Sequence, residues 1–409
     1  MSRFTLIFLL LIGANAWAQR KAVFIIVDGI PADVIEKLKP PVMNEIAGAH
    51  GYTRAHVGGM KGGYSESPTI SAVGYNHVLT GTWTNKHNVW DNDIKNPNYN
   101  YWNVFRIARM AKPEIKTAIF STWLDNRTKL VGEGLPAAGN IKIDYVFDGY
   151  EHDTVRFPHR KDHKYISDID DLVATEAART IEAEAPDLSW VYLEYTDDMG
   201  HAFGDSPQFY DAIEAADAQL GKIWKAISAR QKEHGEDWLV VITTDHGRTQ
   251  SNGKGHGGQS ERERTTWIAT NAKNTNAHFT ANPGAVDIAP TVLRHLGIDI
   301  PEDVKMEMDG IPFIGDIGLD NLKATRTKTG VTLSWRHIPG ATGTADVFMT
   351  DTNQFKTGKP DTYQKVGTVS VEKQSIELAL PALSSGRRSV HKFVVKARDN
   401  WANTWYVER

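Results

Sequence analysis

From residue 21 to about 315 the chain alternates short apolar runs with stretches in which apolar residues recur at helical spacing, and this alternation restricts the fold more than any other feature. Residues 22–27 form an unbroken apolar, β-branched run, too short for a buried helix and too uniform for a strand with one wet face. Residues 117–120, 188–194 and 238–243 read the same way. Between the last two, residues 206–227 carry Pro207 near the start and then Ile213, Ala216, Leu220, Ile223 and Ile227, a helix pattern. The expected architecture is α/β, a mostly parallel central sheet with helices on both faces.

Past residue 318 the texture changes to turn-punctuated alternation at 331–335, 345–349, 363–371, 375–380 and 391–398, which predicts a small β-sandwich. Its Trp335 and its closing segment Val395-Lys-Ala-Arg-Asp-Asn-Trp-Ala-Asn403 resemble a fibronectin type III module. At the other end, Arg3, an apolar run at 6–12 and Ala16-Trp17-Ala18 have the form of a signal peptide cleaved after Ala18. The division expected is therefore 1–18 signal, 19–318 catalytic domain and 319–409 β-sandwich. Export to the periplasm or the exterior follows, with no transmembrane segment left after cleavage. The sequence gives no indication of oligomeric state.

Composition removes several classes of function. With no cysteine, thiolate nucleophiles, thiolate zinc sites and a sulfatase built on cysteine are excluded, and stability must come from packing and bound metal. A net charge of −4 with mixed signs offers no broad basic surface to a nucleic acid.

Functional groups of open parallel sheets gather beyond the carboxyl ends of the strands. Four clusters of ligand-type residues stand there: Val27-Asp28-Gly29, Asp197-Asp198-Met199-Gly200-His201, Thr244-Asp245-His246-Gly247 and Gly255-His256-Gly257-Gly258. Each alone has an ordinary reading as a helix cap or a polar loop. Four together, in this order, resemble the alkaline phosphatase superfamily and in particular its type I phosphodiesterase / nucleotide pyrophosphatase branch, over residues 20–315. The resemblance implies two Zn2+ per chain, one held by Asp197, His201 and His256 and the other by Asp28, Asp245 and His246 together with the nucleophile oxygen. Imidazole and carboxylate ligands without sulfur suit zinc, and three protein ligands per ion leave a place for substrate.

Residues 65–81 offer five serine and threonine hydroxyls. In the superfamily the nucleophile opens a helix ten residues before a glycine, and counting back from Gly81 gives Ser71; Thr69 is the rival. Branch members also place a phosphoryl-binding asparagine five residues after a histidine, and His87 leads in this way to Asn92. The chain departs from the branch in having Ser at this position and Val73-Gly74-Tyr75 after it. Tyr75 and Trp123 are expected to line the substrate pocket, with His77 and Trp90 nearby as pocket or core residues.

The resemblance implies two-step phosphoryl transfer through a phosphoserine, with Asn92 and the backbone amide after Ser71 holding a non-bridging oxygen. A small phosphodiester, pyrophosphate or nucleotide-type substrate is expected, because the Lys-x-Arg pair of monoesterase relatives is absent after residue 120. Arg127 and Lys129 keep a phosphomonoesterase open as the alternative. A cofactor-independent phosphoglycerate mutase would need a large inserted domain, a sulfatase an arginine after Pro68, and a non-catalytic surface binder would have no use for the ligand set.

Overall fold

The computed structural model describes residues 18–380 and 390–407. The signal-peptide pattern at 1–18 lies, but for Ala18, outside the described residues. Seven strands form the main sheet: β1 (Arg20–Val27), β2 (Tyr52–His56), β3 (Thr117–Ser121), β4 (Tyr145–Phe147), β5 (Leu188–Leu193), β6 (Asp237–Thr243) and β7 (Thr265–Thr270). Their order is β2-β7-β6-β1-β5-β3-β4. All neighbours from β6 to β4 are parallel, while β7 runs antiparallel to both β6 and β2.

The two-residue period of a strand explains the uniform runs. In β1, Ala22, Phe24 and Ile26 enter one apolar core and Val23, Ile25 and Val27 enter the other. Strand β6 divides likewise, with Leu239 and Val241 on one side and Trp238, Val240 and Ile242 on the other. These central strands are the ones the sequence announces. Strands β2 and β4 sit at the sheet edges with half-exposed residues, so they carry no continuous apolar run.

The helix expected at 206–227 spans Pro207–His234, longer by about two turns. Ser206 caps it, accepting a hydrogen bond from the Phe209 amide at 3.3 Å, and Gly235 ends it in a left-handed conformation (φ 65°). Its final turns are polar, so apolar spacing could not mark where it stops.

Among its described residues the C-terminal region holds seven strands instead of the five expected: β8 (Leu319–Arg326), β9 (Gly330–His337), β10 (Thr344–Thr350), β11 (Gln364–Ser370), β12 (Ser375–Ala379), β13 (Val390–Ala397) and β14 (Asn400–Val407). A four-stranded sheet, β11-β10-β13-β14, and a three-stranded sheet, β12-β9-β8, share a core that includes Leu333, Trp335, Val347 and Phe393. This is a β-sandwich. Strand β8 escaped the sequence reading because its pairing slips between Asp320 and Lys323, which breaks the alternation. No helix among the described residues is long and apolar enough to cross a membrane.

Candidate metal centre

Asp28 follows β1, Asp197 lies in the helix Tyr195–Phe203 just after β5, and Asp245 and His246 follow β6. Three adjacent parallel strands thus deliver their next residues to one point at the carboxyl edge of the sheet. His256 arrives there from the loop before β7. All six expected ligands meet in one cluster, joined by Ser71 at the first turn of the helix Ser71–Thr80.

His246 stands at the centre of the first group. Its Nδ1 is 2.9 Å from the Gly247 carbonyl and donates to it, which leaves the Nε2 lone pair facing inward. Around Nε2 lie Asp245 Oδ2 at 3.2 Å, Ser71 Oγ at 3.4 Å and Asp28 Oδ1 at 3.5 Å. Both carboxylate oxygens are buried and have no hydrogen-bond partner among the described residues. Buried acceptors converging without a donor are costly unless a cation sits among them, so this donor set fits a metal ion.

The second group is Asp197, His201 and His256. His256 Nδ1 donates to the Thr69 carbonyl at 2.9 Å, turning Nε2 inward to within 3.0 Å of His201 Nε2. Asp197 Oδ2 lies 3.2 Å from His201 Nε2. Asp197 also borders the first group, since its Oδ1 is 3.9 Å from His246 Nε2. The two groups abut, with the His246 and His256 rings stacked 3.7 Å apart.

Electrostatics follow from burial and crowding. Burial, then the charges of Asp245 and Asp197, hold the Asp28 carboxyl well above the usual range, and burial pushes Asp245 up to about 7. Burial and the neighbouring His256 push His246 well below the ordinary imidazole value. Asp197 moves the other way: burial opposes its charge, but the hydrogen bond with His201 and the nearby Arg248 guanidinium hold its carboxyl low.

Arg248 was not singled out from the sequence. It is completely buried, and its Nη2 bonds both Oδ1 and the carbonyl of Asp197, the latter at 2.7 Å, while Nε donates to the Gly29 carbonyl at 2.8 Å. With Oδ1 so engaged, Asp197 turns Oδ2 toward His201. Gly200 makes the room, since a Cβ there would overlap the guanidinium. The signal was present as an arginine directly after Asp245-His246-Gly247, but its partners lie about 50 and 220 residues away in sequence.

The two candidate hydroxyls differ in what they touch. Thr69 Oγ1 donates to the Gly258 carbonyl and accepts from the Gly257 amide, both at 2.9 Å, so it fastens the His256 loop. Ser71 Oγ lies 3.4 Å from His246 Nε2, the atom around which the unpartnered Asp28 and Asp245 oxygens gather. Asn92 lies beside it, with Oδ1 accepting from the Ala72 amide at 2.9 Å. That bond alters the expected arrangement: the amide after Ser71 is occupied by Asn92, which presents Nδ2 as the free donor.

One pocket expectation needs correction. Tyr75 is wholly buried, and its hydroxyl bonds Asp28 Oδ2 and, at 2.7 Å, the Tyr192 hydroxyl, which itself donates to Asp28 at 2.7 Å. Tyr75 and Tyr192 therefore hold the Asp28 carboxylate from within the core, and the Tyr75 ring does not line an open pocket. Trp123 packs edge-on against Tyr75 and is partly exposed. Arg127, considered for a dianionic phosphate, is bound to Asp148 at 2.6 Å and Glu133 at 2.5 Å, and Lys129 pairs with Asp125 at 2.7 Å. His77 is buried against Trp83 and His87, with Nε2 3.2 Å from Thr84 Oγ1.

The model of the type I phosphodiesterase / nucleotide pyrophosphatase family matches residues 22–298. The chain is similar to a 2,3-bisphosphoglycerate-independent phosphoglycerate mutase of Natronomonas pharaonis, at 32% identity over 131 residues, 31% of this chain and 24% of that protein. A mutase of the same description from Mycoplasmoides gallisepticum is 26% identical over 179 residues, 41% of this chain and 32% of that protein. The chain thus spans about a quarter to a third of the length of the curated relatives it matches. Among solved structures it is similar to murine ectonucleotide pyrophosphatase / phosphodiesterase 5, in an inactive form in complex with AMP, with a TM-score of 0.49 and 12% identity over 69% of this chain and 96% of that one.

Proposed function

We propose, from the premise that this chain belongs to the type I phosphodiesterase / nucleotide pyrophosphatase family, that it is an exported hydrolase of phosphodiesters or pyrophosphates working through two zinc ions and a phosphoserine at Ser71. The observation that carries this reading is the convergence beneath Ser71 Oγ of two buried, unpartnered carboxylate oxygens and the inward lone pair of His246. Asp28, Asp245 and His246 would hold one zinc and Asp197, His201 and His256 the other. When bound, the pair supplies Lewis-acid charge that stabilises the attacking and leaving oxygens of an in-line displacement.

The chain contributes position and field. Ser71 opens a ten-residue helix, whose N-terminal dipole favours an alkoxide and the anionic phosphoryl group approaching it. Ser71 Oγ forms the new P–O bond as the bond to the leaving oxygen breaks. Water then cleaves the phosphoserine and restores the hydroxyl. Asn92, its orientation fixed by the Ala72 amide, donates from Nδ2 to a non-bridging oxygen. Thr69 is proposed as a support for the His256 loop, since both sides of its hydroxyl are committed there.

A diester is favoured over a monoester because the cations near β3 are already paired. A monoester brings a second negative charge, and Arg127 and Lys129 have spent theirs on neighbouring carboxylates. Export rests on the N-terminal pattern of charge, apolar run and small-residue cleavage site. Similarity to the mutases favours a second reading, in which the phosphoserine is passed to another hydroxyl of the substrate. Turnover of matched aryl phosphate mono- and diesters tests the assignment: the diester should react at least tenfold faster. Monoester preference, or phosphate transfer within phosphoglycerate, would displace it.

A further inference from the structure

Asn92 is exposed on the stretch between the helices Thr84–His87 and Val104–Ala111, and this stretch is fastened to the C-terminal β-sandwich at both ends. At its start, Lys86 is fully buried, and its Nζ bonds the Glu307 carbonyl and Asp309 Oδ1, each at 2.7 Å, and Asn403 Oδ1 of β14 at 2.9 Å. At its far end, Asn98 and Asn100 both donate from Nδ2 to the Lys356 carbonyl, at 3.1 and 3.0 Å. Lys356 lies in a short knuckle between β10 and β11.

The same knuckle inserts Phe355 into the core of the main sheet, where it packs 5.2 Å from the Tyr101 ring and is only 6% exposed. The knuckle is itself held. Asp361 accepts from the Gln354 amide at 2.8 Å and the Phe355 amide at 3.1 Å, and pairs with the buried Lys392 of β13 at 2.7 Å. A module serving only as a spacer would not place an aromatic residue in the other domain's core or pair its buried Lys392 with the buried Glu307 carboxylate across the junction.

We infer that the β-sandwich is a positioning part of the active site: through Phe355, Lys356 and the Lys86 contacts it holds the 86–103 segment so that Asn92 meets the phosphoryl oxygen. The inference rests on the proposed role of Asn92. Its scale follows from geometry, since small displacements of a catalytic donor cost rate more than binding.

The test measures kcat, KM, metal content and melting temperature for Phe355→Ala and for the partly exposed pair Asn98→Ala with Asn100→Ala, each in wild-type and Asn92→Ala backgrounds. On an aryl phosphodiester, kcat should fall roughly tenfold in each loosened variant, with KM and metal content little changed. In the Asn92→Ala background the same changes should cost no more than about twofold, because the donor they position is gone. Phe355→Leu should recover most of the lost kcat. Full kcat in both loosened variants beside an impaired Asn92→Ala overturns the inference alone, as does an equal loss in both backgrounds. Unimpaired turnover by Asn92→Ala overturns the role of Asn92, and the inference with it.

Discussion

At the scale of single residues, the division of labour between Ser71 and Thr69 is the sharpest claim. Ser71→Ala should abolish turnover while metal content stays near that of the wild type, because each proposed metal position keeps three protein ligands and Ser71 Oγ adds only a 3.4 Å contact to His246 Nε2. Thr69→Ala should keep some turnover but weaken the metal held by His256, since it releases the loop amide and carbonyl that Thr69 ties down. Elemental analysis beside an activity assay separates the two, and an active Ser71→Ala protein would move the nucleophile. Arg248→Met should loosen Asp197 and reduce metal affinity about 10- to 100-fold, measured by competition with a chelator. The cluster of six proposed ligands was legible in sequence because each stands within about two turns of a strand end or beside a glycine. Arg248 and Tyr192 were not, because what makes them functional is a contact with Asp197 or Asp28 that only the fold creates. Tyr75 was misread for the same reason: its place near the nucleophile was visible, but the direction of its hydroxyl was not.

At the scale of elements, the central strands declared themselves because both faces are buried, so burial writes an unbroken apolar run into the sequence. Edge strands carry no such run, and β14, in which Asn400, Asn403 and Thr404 interrupt the apolar residues, was not among the five strands expected. The nucleophile helix shows how closely an element must approach the sheet. Gly74 faces the Asp245 backbone, and a Cβ there would lie 2.5 Å from the Asp245 carbonyl oxygen and 2.7 Å from its Cβ. Gly74→Ala should therefore push the helix Ser71–Thr80 off the ligand loop. The expected outcome is a 10- to 100-fold loss of kcat with helix content by circular dichroism unchanged, since alanine favours helix. A variant with normal kcat would show that Ser71 tolerates the shift.

At the scale of the whole molecule, buried charge joins the main sheet to the β-sandwich. His278 lies between Asp287 on one side and Asp320 of β8 on the other, at 2.8 Å from each, with Arg336 also paired to Asp320. Burial opposes its charge, but the Asp287 and Asp320 carboxylates prevail and raise it from 6.5 to about 9. A group raised in the folded state stabilises fully below its unfolded value, and that stabilisation is lost as pH rises through the folded value. The contribution, on the order of 3 kcal/mol near pH 6, should fade between pH 6.5 and 9. Melting temperatures of wild type and His278→Gln should accordingly differ most near pH 6 and converge above pH 9; a gap independent of pH would exclude a charged His278. None of this junction was legible in sequence, because its partners come from segments that local patterns describe separately. The central claim, that these six residues hold a pair of zinc ions beneath Ser71, is tested most directly by elemental analysis of the purified, active protein. Close to two zinc per chain is the expected result, and active protein without tightly bound metal would rule the pair out.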